Sequence, residues 1–147
     1  MSNITPLRQP DSASRLPRSR ARDLHVIGLL SAPSRVFASF DCEFRSGDLL
    51  ISYTFWEQGV ERSSGIHFGN VLAFQRRADI YSTAWHLEGY DRVVEVEHSP
   101  WVDELREAAL PRWRDHWSMR HFMTYIDGEG AFEVVSEDVL LTPDIAV

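Results

Sequence analysis

The chain has 147 residues, of which 44% are hydrophobic and 25% charged, a composition typical of a globular protein of about one domain. The formal net charge of −7 is unevenly distributed, because residues 1–23 contain five arginines and two aspartates and therefore carry +3. The remaining 124 residues carry −10. A folded body this acidic repels phosphates, which argues against nucleic-acid binding by that body and favours a basic protein partner.

Cys42 is the single cysteine of the chain, which excludes an internal disulfide bond and a cysteine-based zinc site. Its neighbours alternate apolar and polar, so we expect a buried strand thiol whose pKa is raised by the acids Asp41 and Glu43. The sequence contains no run of ~18 apolar residues, and its first residues lack the apolar core of a secretion signal. We therefore expect no membrane span and a cytoplasmic location.

Residues 1–22 differ in composition from the rest of the chain. Pro6, Pro10 and Pro17 lie among serines and arginines, and few apolar side chains are present to offset the entropy of ordering. We interpret this segment as a disordered basic tail, followed by a single globular domain over residues 23–147. An arm that binds a partner or nucleic acid, or a targeting segment, is the alternative interpretation of the same residues.

The first half of the domain has the two-residue alternation of β-strands. An apolar run over residues 24–30 predicts the first strand, and residues 36–44 alternate. The alternation repeats over residues 49–55 and resumes over residues 66–74, with turn residues between the segments. Adjacent alternating segments joined by short turns predict an antiparallel meander.

The middle of the chain interrupts this pattern. Residues 81–85 predict a loop that places the Trp85 side chain on the core. Residues 93–97 alternate again, which predicts a short strand whose valines face the core while Glu95 and Glu97 face solvent.

A helix is predicted directly after this strand. Ser99 followed by Pro100 is typical of a helix N-terminus, with serine as the cap and proline at the first helical position. Pro111 ends the helix, since proline cannot continue its hydrogen bonding. Residues 112–118 are predicted to form a second short helix or an irregular segment.

The last third of the domain predicts a β-hairpin. Residues 121–126 and 131–136 form its strands, and Asp127-Gly128-Glu129-Gly130 supplies a turn whose glycines can take positive φ. A further strand is predicted around residues 139–141. The fold class is therefore α+β, a predominantly antiparallel and curled β-sheet with one or two short helices between residues 99 and 118.

The sequence contains no motif that predicts catalysis. His116 and His121 are five residues apart, which does not match the helical spacing of paired metal ligands, and Cys42 lies among acids. The many carboxylates include no pair that stands out as a hydrolase pair. We therefore predict a protein that is not an enzyme, with no catalytic residue, no cofactor and no metal site.

A partner-binding surface is the functional prediction that the residues support. Acidic side chains on the predicted strands and hairpin would attract a basic protein, and exposed tryptophans are common at interfaces. The predicted partner-binding residues are Glu95, Glu97, Glu129, Glu133, Trp113 and Trp117. The alternatives are an ordinary solvated strand face for the acids and core packing for the tryptophans.

Two stretches of the chain carry a distinctive set of aromatic, strand and hairpin residues. They are Tyr81-Ser82, Trp85, Tyr90-Asp91, Val94-Glu95-Val96, Ser99, Trp101 and Glu104-Leu105 in the first, and Arg120-His121-Phe122, Tyr125, Asp127, Gly130, Phe132-Glu133-Val134-Val135 and Glu137 in the second. Together they resemble a group of small uncharacterised bacterial proteins, some of which are labelled immunity proteins of toxin systems. The resemblance covers roughly residues 78–140, and this chain departs from the group by its long basic tail and by Ser136.

The resemblance implies a stoichiometric inhibitor that neutralises a bacterial toxin, such as a basic nuclease, by covering its active site. An acidic body suits such a partner, and occlusion requires neither turnover nor a cofactor. Two alternatives remain open from the sequence. One is a phage-encoded inhibitor of a host defence protein, and the other is a domain that binds a small ligand or catalyses a reaction.

Overall fold

The computed structural model of the protein describes residues 23–147, so the predicted tail lies outside the described residues. Within this part of the chain, seven strands form one sheet accompanied by one α-helix, and this confirms a mostly antiparallel α+β fold. Short 3-10 helices lie in the connections. The strands are β1 (Leu24–Leu29), β2 (Ser39–Arg45), β3 (Asp48–Glu57), β4 (Val60–Arg77), β5 (Arg92–Val96), β6 (Arg120–Ile126) and β7 (Gly130–Ala146), and the helix is α1 (Pro100–Ala108).

The strands lie in the order β1-β5-β6-β7-β4-β3-β2, and every neighbouring pair is antiparallel. The predicted meander is present as β2, β3 and β4. β1 does not join it, because β1 pairs with β5 and therefore forms the opposite edge. Since β1 and β2 are both edge strands, the sheet is open rather than closed.

The elements differ from the sequence prediction most clearly at three places. β2 starts at Ser39 rather than residue 36, because Ser34–Val36 forms a 3-10 turn after Pro33. β4 starts at Val60, since Gln58 and Gly59 alone make the preceding turn. The two strands predicted in the last segment are one long strand, β7, because β4 pairs along nearly its whole length.

The main core lies on one side of the sheet, which we call the inner face. Leu49, Ile51, Tyr53 and Phe55 of β3 are buried there, as their alternation predicts. The sheet is curved around this core, because Phe40 of β2 contacts Phe132 of β7 across two intervening strands, with ring centroids 5.8 Å apart. Further core members are Leu30, Ile66, Phe68, Val93, Phe122, Ile126 and Val134.

The outer face of the sheet carries a second, smaller core. Trp85 is buried there against Val94, Val96 and Met123, which confirms the predicted role of the loop that holds it. Helix α1 lies beside this cluster and buries Val102. Burial on both faces explains why β5, β6 and the first half of β7 are the most enclosed strands.

The predicted hairpin turn is confirmed between β6 and β7. Gly128 and Gly130 have φ values of +78° and +102°, which glycine adopts without the strain that a side chain would add. A Cβ atom at Gly130 would overlap the carbonyl oxygen of Arg77 on β4. The turn is fixed from the side by Asp79, whose Oδ2 accepts a hydrogen bond from the Gly128 N–H (2.8 Å).

Candidate functional site

The most unusual polar group of the protein is the Glu133 carboxylate, which is buried in the middle of the sheet. Glu133 lies on β7, between the neighbouring strands β6 and β4, and points to the outer face. The segment that holds Trp85 and His86 covers it, and only 6% of the residue is exposed. A buried charge of this kind requires polar partners.

Three side chains surround this carboxylate. His121 Nε2 lies 2.8 Å from Oε1, and Gln75 Nε2 donates to Oε2 at 2.9 Å. His86 Nε2 lies 3.6 Å from Oε2. Burial acts to raise the pKa of Glu133, but hydrogen bonding to His121, His86 and Gln75 outweighs it and lowers the pKa to about 2. The group is therefore a carboxylate at neutral pH.

The polar chain continues beyond both histidines. His121 Nδ1 lies 2.7 Å from the Oγ of Ser99, the residue before α1. His86 Nδ1 accepts a hydrogen bond from the backbone N–H of Thr83 (2.9 Å). That nitrogen is therefore unprotonated, and the ring hydrogen of neutral His86 lies on Nε2, facing Glu133.

Tryptophan rings enclose the two histidines. Trp85 packs edge-on against His86 and His121, with ring centroids 5.2 Å and 6.2 Å apart. Trp101 of α1 packs edge-on against His121 from the other side, at 5.1 Å. These contacts fix the orientation of the imidazoles and keep the chain of hydrogen bonds in apolar surroundings, where each bond is stronger than in water.

A cavity of about 250 Å³ opens beside Ser99, between α1 and the ends of β5 and β6. Ser99 and His121 contribute to its wall, although Ser99 itself is only 5% exposed. Glu95 also lines the cavity and is held by Arg120 through two hydrogen bonds of 2.7 Å and 3.1 Å. The cavity is thus mixed in charge rather than uniformly acidic.

Hydrogen bonds connect Ser99, His121 and Glu133 in the order of a nucleophile, a general base and an orienting acid. The Ser99 Oγ also accepts a hydrogen bond from the Val102 N–H (3.2 Å), which confirms the predicted helix cap. The same three residues therefore join α1 to the centre of the sheet. Together with His86, these three residues connect the sheet to the two segments that cover its outer face, helix α1 and the segment around Trp85. We call these four residues the polar clamp.

The clamp requires one correction to the sequence prediction. Glu133 does not belong to an exposed acidic surface, because the loop around Trp85 covers it. Glu95 and Glu97 both line the cavity beside Ser99. Glu97 is exposed as predicted, whereas Glu95 is half-buried and held by Arg120 instead of facing solvent freely. Glu129 is half-buried in the hairpin, away from these two, and its carbonyl oxygen accepts from Arg76 (2.8 Å).

The two tryptophans predicted to bind a partner lie together after α1. Trp113 and Trp117 stack with ring centroids 5.8 Å apart and planes 12° from parallel. His116 packs perpendicular to both rings, and the Arg112 guanidinium lies 5.6 Å from the centroid of Trp113. Trp113 is exposed and Trp117 is half-buried, so we call residues 112–117 the aromatic cluster.

Sequence reasoning missed the partnership of Ser99, His86 and His121 with Glu133. The Ser99-Pro100 pair indicated a helix cap, and the cap is real, but nothing in the local sequence shows that its hydroxyl also reaches a histidine of β6. The members come from four separate segments of the chain. Only the strand pairing brings them together.

Within the part of the chain that the structure describes, no group of three or more His, Cys, Asp or Glu side chains is arranged to hold a metal ion. In residues 23–147, no helix is both long and apolar enough to cross a membrane. Comparison of the chain with protein-family models, with curated proteins and with solved structures found no match.

Proposed function

We propose that the protein is a stoichiometric inhibitor that binds a basic protein, in the manner of an immunity protein that covers the active site of a bacterial toxin. The observation that carries this proposal is the aromatic cluster on the surface beside α1. Tryptophan and arginine are enriched among the residues that dominate the binding energy of protein interfaces, and a tryptophan ring buries a large area with only two rotatable bonds. Trp113, the exposed member of this stack, is suited to fill a pocket on a partner.

The net charge of the folded body favours a basic partner. Around the aromatic cluster itself the charge is mixed, because exposed acids lie beside exposed arginines: Asp103, Glu104, Glu107 and Asp115 beside Arg112 and Arg114. The body of the chain carries −10, so association with a basic toxin would be fast and sensitive to salt. Such an inhibitor acts without turnover and without a cofactor, in the cytoplasm of the cell that makes the toxin.

Co-expression with the product of the neighbouring gene, which is the toxin if the proposal holds, tests this proposal. The wild-type protein is expected to protect growth and to co-purify with the toxin at equal stoichiometry. Trp113→Ala/Trp117→Ala should weaken the complex by at least tenfold, about 1.4 kcal/mol or more, because both anchors are removed. Tyr81→Ala is the control, since it removes an exposed aromatic ring outside the cluster. Absence of both protection and complex formation would overturn the proposal.

A hydrolase is the second candidate, and the specific observation in its favour is the contiguous set Ser99, His121 and Glu133 beside a cavity. A fluorophosphonate probe labels serines that a histidine activates. Labelling of the wild type that Ser99→Ala abolishes would favour the enzyme. If the folded protein is not labelled at a probe concentration that labels a known serine hydrolase, the role of the three residues is structural.

A further inference from the structure

The outer face of the sheet is only partly covered. The segment around Trp85 and helix α1 lie over β5, β6 and the first half of β7. Towards β2 the outer face is instead formed by exposed and half-exposed side chains of β2, β3, β4 and the second half of β7. We call this region the bare face.

The register of the strands defines the floor of the bare face. Leu50 of β3 lies opposite His67 of β4, and His67 lies opposite Leu140 of β7. On β3, β4 and β7 the next row contains only small residues, Ser52, Gly65 and Thr142. These small residues leave a depression of about 280 Å³ in the sheet surface, which is open to side chains of another molecule.

Large apolar side chains border this depression on the β7 side. Leu140 and Ile145 are 61% and 63% exposed, and Trp56 is exposed at the end of β3. Ile145 lines the depression directly. Apolar side chains grouped around a depression indicate an interaction site, whereas single exposed apolar residues are common on any protein.

Carboxylates surround the bare face on its remaining sides. They come from all four strands: Asp41, Glu43, Asp48, Glu61 and Asp138. Arg45 pairs with Glu43, and His67 lies 2.7 Å from Asp48. Within residues 23–147, the other three carboxylates form no salt bridge. They are therefore available to a cation from another molecule.

The charges decide between the two most obvious occupants. A second copy of this chain would bring one ring of carboxylates against another, and both bodies carry a large negative charge, so self-association is opposed. A basic segment with an apolar stripe would place its cations beside the carboxylates and its apolar side chains against the floor of the bare face. We propose that the bare face binds an amphipathic basic helix of the protein partner, an inference that rests on the proposed function and names the binding chemistry.

The dimensions agree with a helix. Measured along the curved sheet, four neighbouring strands at about 4.8 Å spacing extend over about 14 Å, and a helix with its side chains is about 10–12 Å across. The bare face also continues towards the aromatic cluster, because the Ser118 N–H donates to Glu137 of β7 (3.3 Å). A partner helix on the bare face can therefore contact the tryptophan stack at its rim.

The test uses the full chain and a synthetic leucine–lysine peptide that forms a helix with leucines on one side and lysines on the other. Fluorescence anisotropy of the labelled peptide measures its affinity. Leu140→Ser/Ile145→Ser is expected to weaken binding at least tenfold without changing the net charge. Leu29→Ser/Ile80→Ser is the matched control, since these residues are 71% and 82% exposed and lie outside the bare face.

A second pair of variants tests the carboxylates. Asp41→Asn/Asp138→Asn should weaken peptide binding and reduce its salt dependence, while Glu104→Gln/Glu107→Gln removes the same charge from α1 and should have less effect. A peptide of the same composition with its leucines scrambled around the helix should bind more weakly. Each outcome requires that the variants keep the circular dichroism spectrum of the wild type.

In the peptide assay, three results would overturn the inference: no binding of the amphipathic peptide, equal binding of the scrambled peptide, or equal loss in the Leu140/Ile145 and Leu29/Ile80 variants. A sedimentation mass of a dimer that Leu140→Ser/Ile145→Ser converts to monomer would also overturn it, because a second copy would then occupy the face. If Leu140→Ser/Ile145→Ser still protects growth fully against the toxin, this inference fails while the proposed function stands. If the wild type gives no protection, the proposed function fails instead.

Discussion

Replacement of Glu133 by glutamine tests whether the polar clamp stabilises the fold. Glutamine keeps the size of the side chain but removes the charge that His121 and Gln75 bind. The decrease in the pKa of Glu133 from 4.5 to about 2 corresponds to about 3 kcal/mol of stability. We therefore expect Glu133→Gln to lower the free energy of unfolding near neutral pH by about 3 kcal/mol, a large fraction of the total for a domain of this size.

The lowered pKa of Glu133 also predicts how this difference in stability changes with pH. Because the pKa of Glu133 is lower in the folded than in the unfolded protein, its stabilising contribution is complete above about pH 4.5. That contribution is lost as the pH falls towards about 2. The difference in stability between wild type and Glu133→Gln should therefore shrink over this range.

Urea denaturation followed by tryptophan fluorescence measures both effects, since Trp85 packs directly against His86 and His121 of the clamp. Glu107→Gln on the exposed side of α1 is the control and should change stability by less than about 0.5 kcal/mol. A destabilisation of Glu133→Gln below about 1 kcal/mol, or a difference that does not shrink in acid, would refute the stabilising role of the clamp.

Three further measurements test other parts of the structure. Ser99→Ala should destabilise the protein by about 1–2 kcal/mol in urea, because the helix loses its cap and His121 loses a hydrogen bond; an unchanged midpoint would contradict this. Gly128→Ala should lower the free energy of unfolding by about 1 kcal/mol, and Gly130→Ala should lower it clearly more, because only at Gly130 would a Cβ atom meet the backbone of β4. Equal losses in the two variants would contradict the turn geometry. Burial and, secondarily, Asp41 raise the pKa of the Cys42 thiol, so it should react with Ellman's reagent more slowly in the folded protein than in urea, and equal rates would show that it is unprotected.

Local patterns in the sequence predicted the parts of the fold that local physics determines. The alternation through Ile51 and Tyr53 reflects a strand with one buried face, and the glycines at 128 and 130 reflect backbone angles that other residues avoid. Ser99 and Pro100 marked the start of α1 for a similar reason. In each case the determining contacts lie within a few residues of the signal.

The strand order and the clamp could not be predicted in this way. The pairing of β1 with β5 joins segments about seventy residues apart, and nothing within either strand specifies the other. The sequence around Glu133 has apolar neighbours on both sides, which is compatible with an exposed acid on a half-buried strand. Its burial follows from the loop that carries Trp85 and His86, which lies over β7 and comes from a segment more than forty residues earlier in the chain.

Titration of the toxin's activity with increasing amounts of the protein tests the proposed inhibition most directly. A tight stoichiometric inhibitor predicts that residual toxin activity falls linearly and reaches zero at about equal molar amounts, independently of incubation time. Weaker inhibition at high ionic strength is expected from the acidic body. If toxin activity is lost progressively with time when the protein is present at far less than equimolar amounts, the protein turns over and the account is contradicted. Full activity of the toxin in a large excess of the protein would contradict the account as well.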